Sequence, residues 1–458
     1  MLAFYVLLFK LIDKAGWCLP RGFKASSMVA STIGVKTPSS LTTGRRLISL
    51  CKGYYTLFKS ICPLPHRVAL NFQSPFAPKA IFVGRNTMGR KDLRLANTNK
   101  NDEFYTTYED IKKELVNYAK YFKGKVIYCN CDDHNGIGLG TPKSNFLKYL
   151  ADNFEAFQIK KVIATHYEKD KDRSTMYILD KDNTGDGIIC FEDIAEIPMK
   201  GNGDFRSPEC IELLKQADIV ITNPPFSLFR EYMAQLMEYK KKFLIIGNMN
   251  AITYKEIFPL IKKNELWFGY GFNCSMIFKT KYQNTLEANR KYVLSKGYDP
   301  DENYIKTPAV CWCTNLETSK RKEFLNTGKK YYGYESMYPH YDNYDAINVD
   351  KVSDIPMDYN GIIGVPITFL DKYNPNQFEI IGLLNSSDEM LSGIPTTREY
   401  NDFKEIRQDK TLTGANGRKT KGNPVLLGKS EKGNYYINLL TNECVHSTYA
   451  RILIKRRK

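Results

Sequence analysis

Short strand patterns alternating with helical patterns predict an α/β fold, a doubly wound parallel sheet covered on both faces. Three observations carry that expectation. Apolar runs at 125–131 (KVIYCNC), 161–165 (KVIAT), 218–222 (DIVIT) and 243–247 (FLIIG) are strand-length and bounded by polar turns. Between them apolar residues recur every three or four positions, as on one face of a helix. A composition of 43% hydrophobic and 25% charged residues is that of a globular chain, which excludes wholesale disorder, collagen and coiled coil. No apolar run approaches the roughly 20 residues that span a bilayer.

Taken in order, Ile111, Leu115, Tyr118 and Phe122 predict an amphipathic helix ending near Gly124. The strand at 125–131 follows, then a polar, glycine-rich loop to Pro142 and a helix over 146–154. The strand at 161–165 leads to a third strand expected at 188–191, a helix at 210–216 and the strand at 218–222. A helix at 229–239, the strand at 243–247, a helix at 254–263 and a short strand at 266–268 complete the regular part. Beyond about 273 the text is rich in Tyr, Asn and Lys, with strands expected at 365–370, 378–382 and 450–454. Residues 411–432 have Gly, Asn and Lys at turn density and read as exposed loops or hairpins.

The chain has 458 residues and a net charge of +16, which invites a nucleic-acid partner. The charge is unevenly placed. Residues 1–87 hold 12 Lys and Arg against Asp13 alone, or +11, whereas the remaining 54 Lys and Arg face 49 acids, or +5. The leader is rich in Ser and Thr and lacks the basic start of a secretory signal, so it is either an organellar transit segment, a mis-assigned start upstream of Met88, or a basic arm on nucleic acid. It is set apart from the fold, leaving 88–272 as a catalytic core and 273–458 as the end of that core plus a recognition region.

The 11 cysteines form no C-x-x-C pair, and the two C-x-C pairs, Cys129/Cys131 and Cys311/Cys313, each read as two side chains packed on one strand face. With five histidines in no ligand-like spacing, a metal site is not expected. Free thiols suit a reducing, intracellular setting.

The sharpest chemical signal is Asn223-Pro224-Pro225-Phe226, directly after the strand at 218–222. An exocyclic amine is a poor nucleophile because its lone pair is delocalised into the base. An Asn oxygen and a carbonyl held rigid between prolines accept both amine hydrogens, drawing the nitrogen toward tetrahedral geometry and freeing the lone pair for a methyl donor. Phe226 offers a ring on which a flipped base stacks. The competing reading is a rigid Asn-Pro turn. On the cofactor side, Asn130, Asp132 and Asp133 with Gly136, Gly138 and Gly140 suit a loop that receives the methionine part of S-adenosylmethionine, or else form a surface loop. Asp204 suits an adenine amine and Phe205 its ring, although Asp204 also suits a helix N-cap. Glu168 is placed for ribose hydroxyls.

NDEFYT (101–106), VIYCNCDD (126–133), SNFLKYL (144–150), GDFRS (203–207), DIVITNPPFSLFREY (218–232), KKFLIIGN (241–248), ITYKEIF (252–258), YDNYDAINV (341–349) and GVPITFL (364–370) together resemble the EcoRI-type adenine-specific DNA methyltransferases. The likeness extends to ARILIK at 450–455. It implies a Rossmann-like S-adenosylmethionine-dependent methyltransferase sheet with a less regular C-terminal DNA-recognition region. It implies the adenine amine of double-stranded DNA as acceptor, S-adenosylmethionine as donor, no metal, a cytoplasmic setting, and a restriction endonuclease acting independently on the same sites. It also places Phe104 and Tyr105 in a cofactor-contacting motif. The chain departs from the methyltransferase Phe-x-Gly-x-Gly pattern, with Cys129-Asn130-Cys131-Asp132-Asp133 in its place.

By elimination the DNA-reading surface lies beyond about 270, where Arg418, Lys419, Lys421, Lys429, Arg456 and Arg457 are candidates for phosphate contacts or simply solvated. Two other readings stand beside site-specific DNA adenine methylation: an RNA or protein amine methyltransferase using the same turn, and an inactive DNA-binding homologue.

Overall fold

The structure is a computed structural model and describes residues 104–131, 144–168, 172–280, 285–385, 389–431 and 433–457. The leader, and with it every expectation for residues 1–87, lies outside them. The chain opens with β1 (Tyr105–Thr106) and α1 (Tyr108–Leu115), then a 3-10 turn at Val116–Tyr118 and α2 (Ala119–Phe122). Ile111, Leu115, Tyr118 and Phe122 are all fully buried, so the expected apolar stripe exists although the helix is interrupted. Gly124 ends it in the left-handed region, at φ +68°.

β2 (Val126–Cys129), α3 (Asn145–Asp152), β3 (Lys161–Thr165), β4 (Thr175–Leu179) and β5 (Ala195–Pro198) follow. Then come α4 (Pro208–Gln216), β6 (Ile219–Thr222), α5 (Phe229–Glu238), β7 (Lys242–Asn248), α6 (Phe258–Lys262) and β8 (Trp267–Phe268). β9 (Cys274–Lys279), α7 (Glu287–Ser295) and β10 (Tyr304–Thr314) complete the largest sheet. Its order is β1-β9-β10-β7-β6-β2-β3-β4-β5, with β8 paired to β10.

The sheet is mixed rather than wholly parallel. Its parallel part is β7, β6, β2 and β3, and the flanking strands add antiparallel. The cause is connection length. A parallel return needs a crossover of about a dozen residues, normally a helix, and too few residues separate β3 from β4 to make one. The strand expected at 188–191 is instead loop and 3-10 turn, while β4, at 175–179, has no counterpart among the expected strands. The fully buried Asp193 carboxylate takes the backbone N–H of Asn183, Thr184 and Cys190, and Gly185 and Gly187 adopt positive φ. Those bonds close 182–193 into a knot of turns that cannot pair as a strand.

A second sheet, order β11-β12-β19-β13, uses β11 (Ile347–Asn348), β12 (Ile363–Pro366), β13 (Phe378–Leu384) and, after the third sheet, β19 (Arg451–Arg456). The third comprises β14 (Phe403–Ile406), β15 (Leu412–Asn416), β16 (Val425–Leu427), β17 (Tyr435–Asn438) and β18 (Cys444–Ser447). The stretch 411–432 therefore contributes two strands to a small sheet, in keeping with its turn density.

Side-chain alternation splits the large sheet into two cores. Ile127, Cys129, Ile219, Ile221, Leu244, Ile246, Val310 and Trp312 face the layer of α1 and α3. Tyr128, Val220, Phe243, Ile245, Cys311 and Cys313 face that of α4 and α5. Cys311 and Cys313 share a face, with their sulfurs 3.9 Å apart. Cys129 and Cys131 do not: β2 ends at Cys129, and the turn carries Cys131 to the opposite core.

The N-terminal segment is fastened by one buried carboxylate. Glu114 in α1 accepts the backbone N–H of Tyr270 and of Gly271, each at 2.7 Å, and the Tyr118 hydroxyl at 2.9 Å. A β-carbon on Gly269 would lie 2.1 Å from Glu114 Oε1 and 2.9 Å from Trp312 Cβ. Because three donors hold the carboxylate, it cannot swing aside. Gly269→Ala is expected to destabilise the protein by at least about 1–3 kcal/mol, read as a lowered midpoint in urea unfolding of the full chain.

Candidate active site

Three neighbouring parallel strands, β2, β6 and β7, each deliver an asparagine near the C-terminal edge of the large sheet: Asn130, Asn223 and Asn248. In open α/β sheets this edge is where ligands bind. In each of the three amides, one buried polar atom has no hydrogen-bond partner.

Asn223 follows β6, four buried residues over Ile219–Thr222. Its Nδ2 donates to the Phe104 carbonyl at 2.6 Å. A carbonyl can only accept, so the amide orientation is settled and Oδ1 is the unpartnered atom. Pro224 is buried, and the Pro225 carbonyl accepts the Leu228 N–H at 3.1 Å, closing a 3-10 turn at Phe226–Leu228 that runs into α5. Phe226 is half-buried, its ring 5.7 Å from that of Phe104 and tilted 43° to it. Phe104 in turn meets Phe278 edge-on at 5.8 Å.

Tyr105 and Thr106 pair with Lys279 and Phe278 of β9, which carries this N-terminal stretch across the sheet. The Thr106 and Thr107 hydroxyls are buried and unpartnered. Sequence reasoning singles out Phe104 and Tyr105 but misses both threonines and Asn248. In the sequence Asn248 stands only as the last residue of KKFLIIGN (241–248), with no role attached to it.

Asn130 is 2% exposed and lies on the opposite face from Asn223. Its Oδ1 takes a hydrogen bond from the fully buried Tyr232 hydroxyl of α5, leaving Nδ2 unpartnered. The next residue, Cys131, donates its N–H to the Thr222 hydroxyl at 3.3 Å, which ties the end of β2 to that of β6. Asp132 and Asp133 lie outside the described residues, as do Gly136, Gly138 and Gly140.

The end of β3 supplies His166 and Glu168. Glu168 lies 3.1 Å from His166 Nε2, and its N–H donates to the Asn202 carbonyl at 2.8 Å. Gly203 has φ +79°, and a β-carbon there would fall 1.9 Å from the His166 carbonyl oxygen. Only glycine lets 201–205 lie so close to the strand end. That approach brings the two segments carrying Glu168 and Asp204 together.

Asp204 is not the helix N-cap. Ser207 caps α4, its hydroxyl accepting the Cys210 N–H, with Pro208 at the first helical position. Asp204 instead grips Arg206, accepting from its guanidinium at 3.0 and 2.8 Å and from its backbone N–H at 2.9 Å. Arg206 holds the Asp204 carboxyl below the usual carboxylate range. Phe205 is 5% exposed, edge-on to Tyr232 at 5.2 Å, so most of its ring is committed to the core.

The basic candidates sit elsewhere. Arg418 and Lys419 occupy a 3-10 turn at Gly417–Thr420, Lys421 follows it, and Lys429 follows β16. All four are exposed on the five-stranded sheet, with Lys419 3.6 Å from Glu405 and Lys429 over the Tyr435 ring at 5.7 Å. Arg456 ends β19, an inner strand of the other small sheet, and Arg457 follows it, its N–H donating to the Gln377 carbonyl at 2.8 Å. Among the described residues there is no cluster of three or more metal-ligating side chains, and no helix is long and apolar enough to cross a membrane.

The family described as Adenine-specific methyltransferase EcoRI matches residues 92–457. The Type II methyltransferase M.EcoRI of Escherichia coli is 47% identical over 313 residues, 65% of this chain and 91% of that protein. The Type II methyltransferase M.MpnI of Mycoplasma pneumoniae is 40% identical over 306 residues, covering 65% and 87%. M.MgeORF184P of Mycoplasma genitalium is 39% identical over 311 residues, covering 68% and 90%. No solved structure matches the chain.

Tyr232→Phe would strip Asn130 Oδ1 of its donor inside the core. The expected cost is about 1–3 kcal/mol for a buried acceptor left unpaired, measured by chemical denaturation; an unchanged midpoint would show that this bond does not hold Asn130 in place.

Proposed function

The chain belongs to the EcoRI family of adenine-specific methyltransferases and is a DNA adenine methyltransferase, and we propose that Asn223–Phe226 is where it methylates the exocyclic amine of a flipped adenine. The observation that carries this assignment is the unpartnered Asn223 Oδ1, buried at the C-terminal edge of the sheet and aimed by the bond from Nδ2 to Phe104. An acceptor held in place before substrate arrives costs no reorganisation when the amine enters.

Asn223 Oδ1 accepts one amine hydrogen and the Pro224 carbonyl the other. Together they pull the nitrogen out of conjugation with the base, so that its lone pair becomes available for attack. The Phe226 ring stacks on the flipped base, and Phe104 backs it. Once alkylated, the nitrogen is a strong acid and its proton leaves without a dedicated base.

S-adenosylmethionine, when bound, supplies a methyl group on a positively charged sulfur. The residues present suit it. Asn130 Nδ2 is a buried donor without a partner. Glu168 and Asp204 lie on two segments brought together by the Gly203 approach and suit ribose hydroxyls and an adenine amine. The small exposed part of Phe205 borders them, Phe104 and Tyr105 lie toward the target base, and Asp132 and Asp133, the acids that follow Cys131 in the sequence, are assigned to the same group. The four parallel strands are then a Rossmann-like methyltransferase core.

Residues 88–272 hold the catalytic residues, and 273–458 complete the sheet and carry the target-recognition region. The exposed Arg418, Lys419, Lys421 and Lys429 make phosphate contacts there. The protein acts in the cytoplasm as the protecting half of a restriction–modification pair, alongside an endonuclease of the same specificity.

Asn223→Ala should abolish methyl transfer to DNA while leaving S-adenosylmethionine affinity within a few-fold; retained turnover would sink the assignment. Phe226→Ala should weaken engagement of the flipped base by about 1–3 kcal/mol, seen as a raised KM for DNA. For the recognition surface, replacing Arg418 and Lys419 together by Ala should flatten the plot of log binding constant against log salt by about 0.9 for each phosphate no longer neutralised. An unchanged slope would place both residues off the DNA.

A further inference from the structure

We propose that Asn248 reads the target base: its Nδ2 donates to the adenine ring nitrogen beside the amine while Asn223 Oδ1 accepts an amine hydrogen. The inference rests on the assignment of Asn223 as the amine acceptor.

The orientation of Asn248 follows from its own contacts. Its Oδ1 accepts the Asn250 N–H at 2.8 Å, capping the 3-10 turn at Met249–Thr253. A backbone N–H can only donate, so Oδ1 must face it and Nδ2 is left as a buried donor without a partner. Such a donor is costly until something accepts from it.

Its placement follows from register. β6 and β7 are parallel neighbours with Thr222 opposite Ile245. Asn223 is one residue beyond that pair and Asn248 three beyond it. Two residues along a strand and one strand across put their α-carbons roughly 8 Å apart, which is about the span of a base edge gripped from two sides. Both project from one face. A β-carbon on Gly247 would meet the Phe229 ring and the Cys313 sulfur, each at 3.0 Å, so alternation sends Asn248 to the opposite side. That is the side of Ile246, Phe104 and Phe226, where Asn223 also points. Among the described residues Asn130 also has a buried unpartnered Nδ2, but it lies on the Tyr232 side and cannot take this part.

The chemistry is complementary to adenine. One acceptor and one donor side by side match an amine hydrogen and the ring nitrogen next to it, the pattern by which amide side chains read adenine. Guanine and hypoxanthine put a carbonyl oxygen where adenine has its amine, and would set that oxygen against Asn223 Oδ1. Thymine does the same. Asn223 activates the amine, and Asn248 fixes the ring so that the amine is presented to it.

The test uses the full chain and a duplex carrying its methylation site, mapped first from the product of the unaltered protein. Absence of N6-methyladenine in that map would overturn the underlying function, independently of Asn248. Asn248→Asp keeps the oxygen that caps Asn250 and replaces the free donor by an acceptor; Asn248→Ser, whose hydroxyl can also cap, is the second variant. Each should lower kcat/KM roughly 10- to 100-fold, the worth of one good base contact, with S-adenosylmethionine affinity within twofold.

Duplexes with 1-deazaadenine or 7-deazaadenine at the target then identify the nitrogen. One of the two should cost the unaltered protein a comparable factor and cost the variants nothing further. If both analogues reduce the variants as much as the unaltered protein, or if the loss in the variants tracks weakened S-adenosylmethionine binding, Asn248 does not read the base.

Discussion

The hydrogen bond from Asn223 Nδ2 to the Phe104 carbonyl is the constraint on which the site depends. An asparagine amide can turn over, and with it the acceptor that faces a substrate. A carbonyl 119 residues away in sequence removes that freedom, because it can only accept. The Phe104 carbonyl is itself held from two directions. β1 pairs with β9, and α1, which follows β1, is pinned through Glu114 to the backbone at Tyr270 and Gly271. If the Asn-Pro-Pro-Phe turn is the methylation site proposed above, the N-terminal segment belongs to it through this bond.

On the other side of the sheet the design differs. The ends of β2 and β6 are tied by the Cys131 N–H and the Thr222 hydroxyl, and Tyr232 anchors Asn130 from α5. The end of β3 and the 201–205 loop are pressed together by Gly203, where any side chain would collide with the His166 carbonyl. Arg206, paired with Asp204, holds its carboxyl below the usual carboxylate range. In the proposed reading this side receives the methyl donor, and the opposite face offers a neutral acceptor to an uncharged amine.

Legibility in sequence tracks locality. The strands 218–222 and 243–247 and the stripe Ile111, Leu115, Tyr118 and Phe122 are readable because periodicity alone determines them. Asn223–Phe226 is readable because prolines beside an asparagine at a strand end restrict both backbone and chemistry. The antiparallel additions are not, since β4 and β5 differ from parallel strands only in lacking crossover helices, and Asp193 turns an apolar stretch into a knot of turns through bonds that no pattern displays. Asp204 as a helix cap fails for a similar reason, Ser207 with Pro208 being the stronger start. The role proposed for Asn248 is not legible in the sequence because it depends on register with β6. The total charge points toward nucleic acid, but most of it lies in residues 1–87, while Arg418, Lys419, Lys421 and Lys429 are among the exposed cations of the small third sheet.

The most direct test is a crystal structure of the full chain with its DNA site and a non-transferring analogue of the methyl donor. The target adenine should stand out of the duplex, its amine nitrogen within about 2.7–3.2 Å of Asn223 Oδ1, with Nδ2 still on the Phe104 carbonyl. A flipped adenine whose amine meets other groups, or an Asn223 amide that has released Phe104 to reach it, would contradict the assigned chemistry.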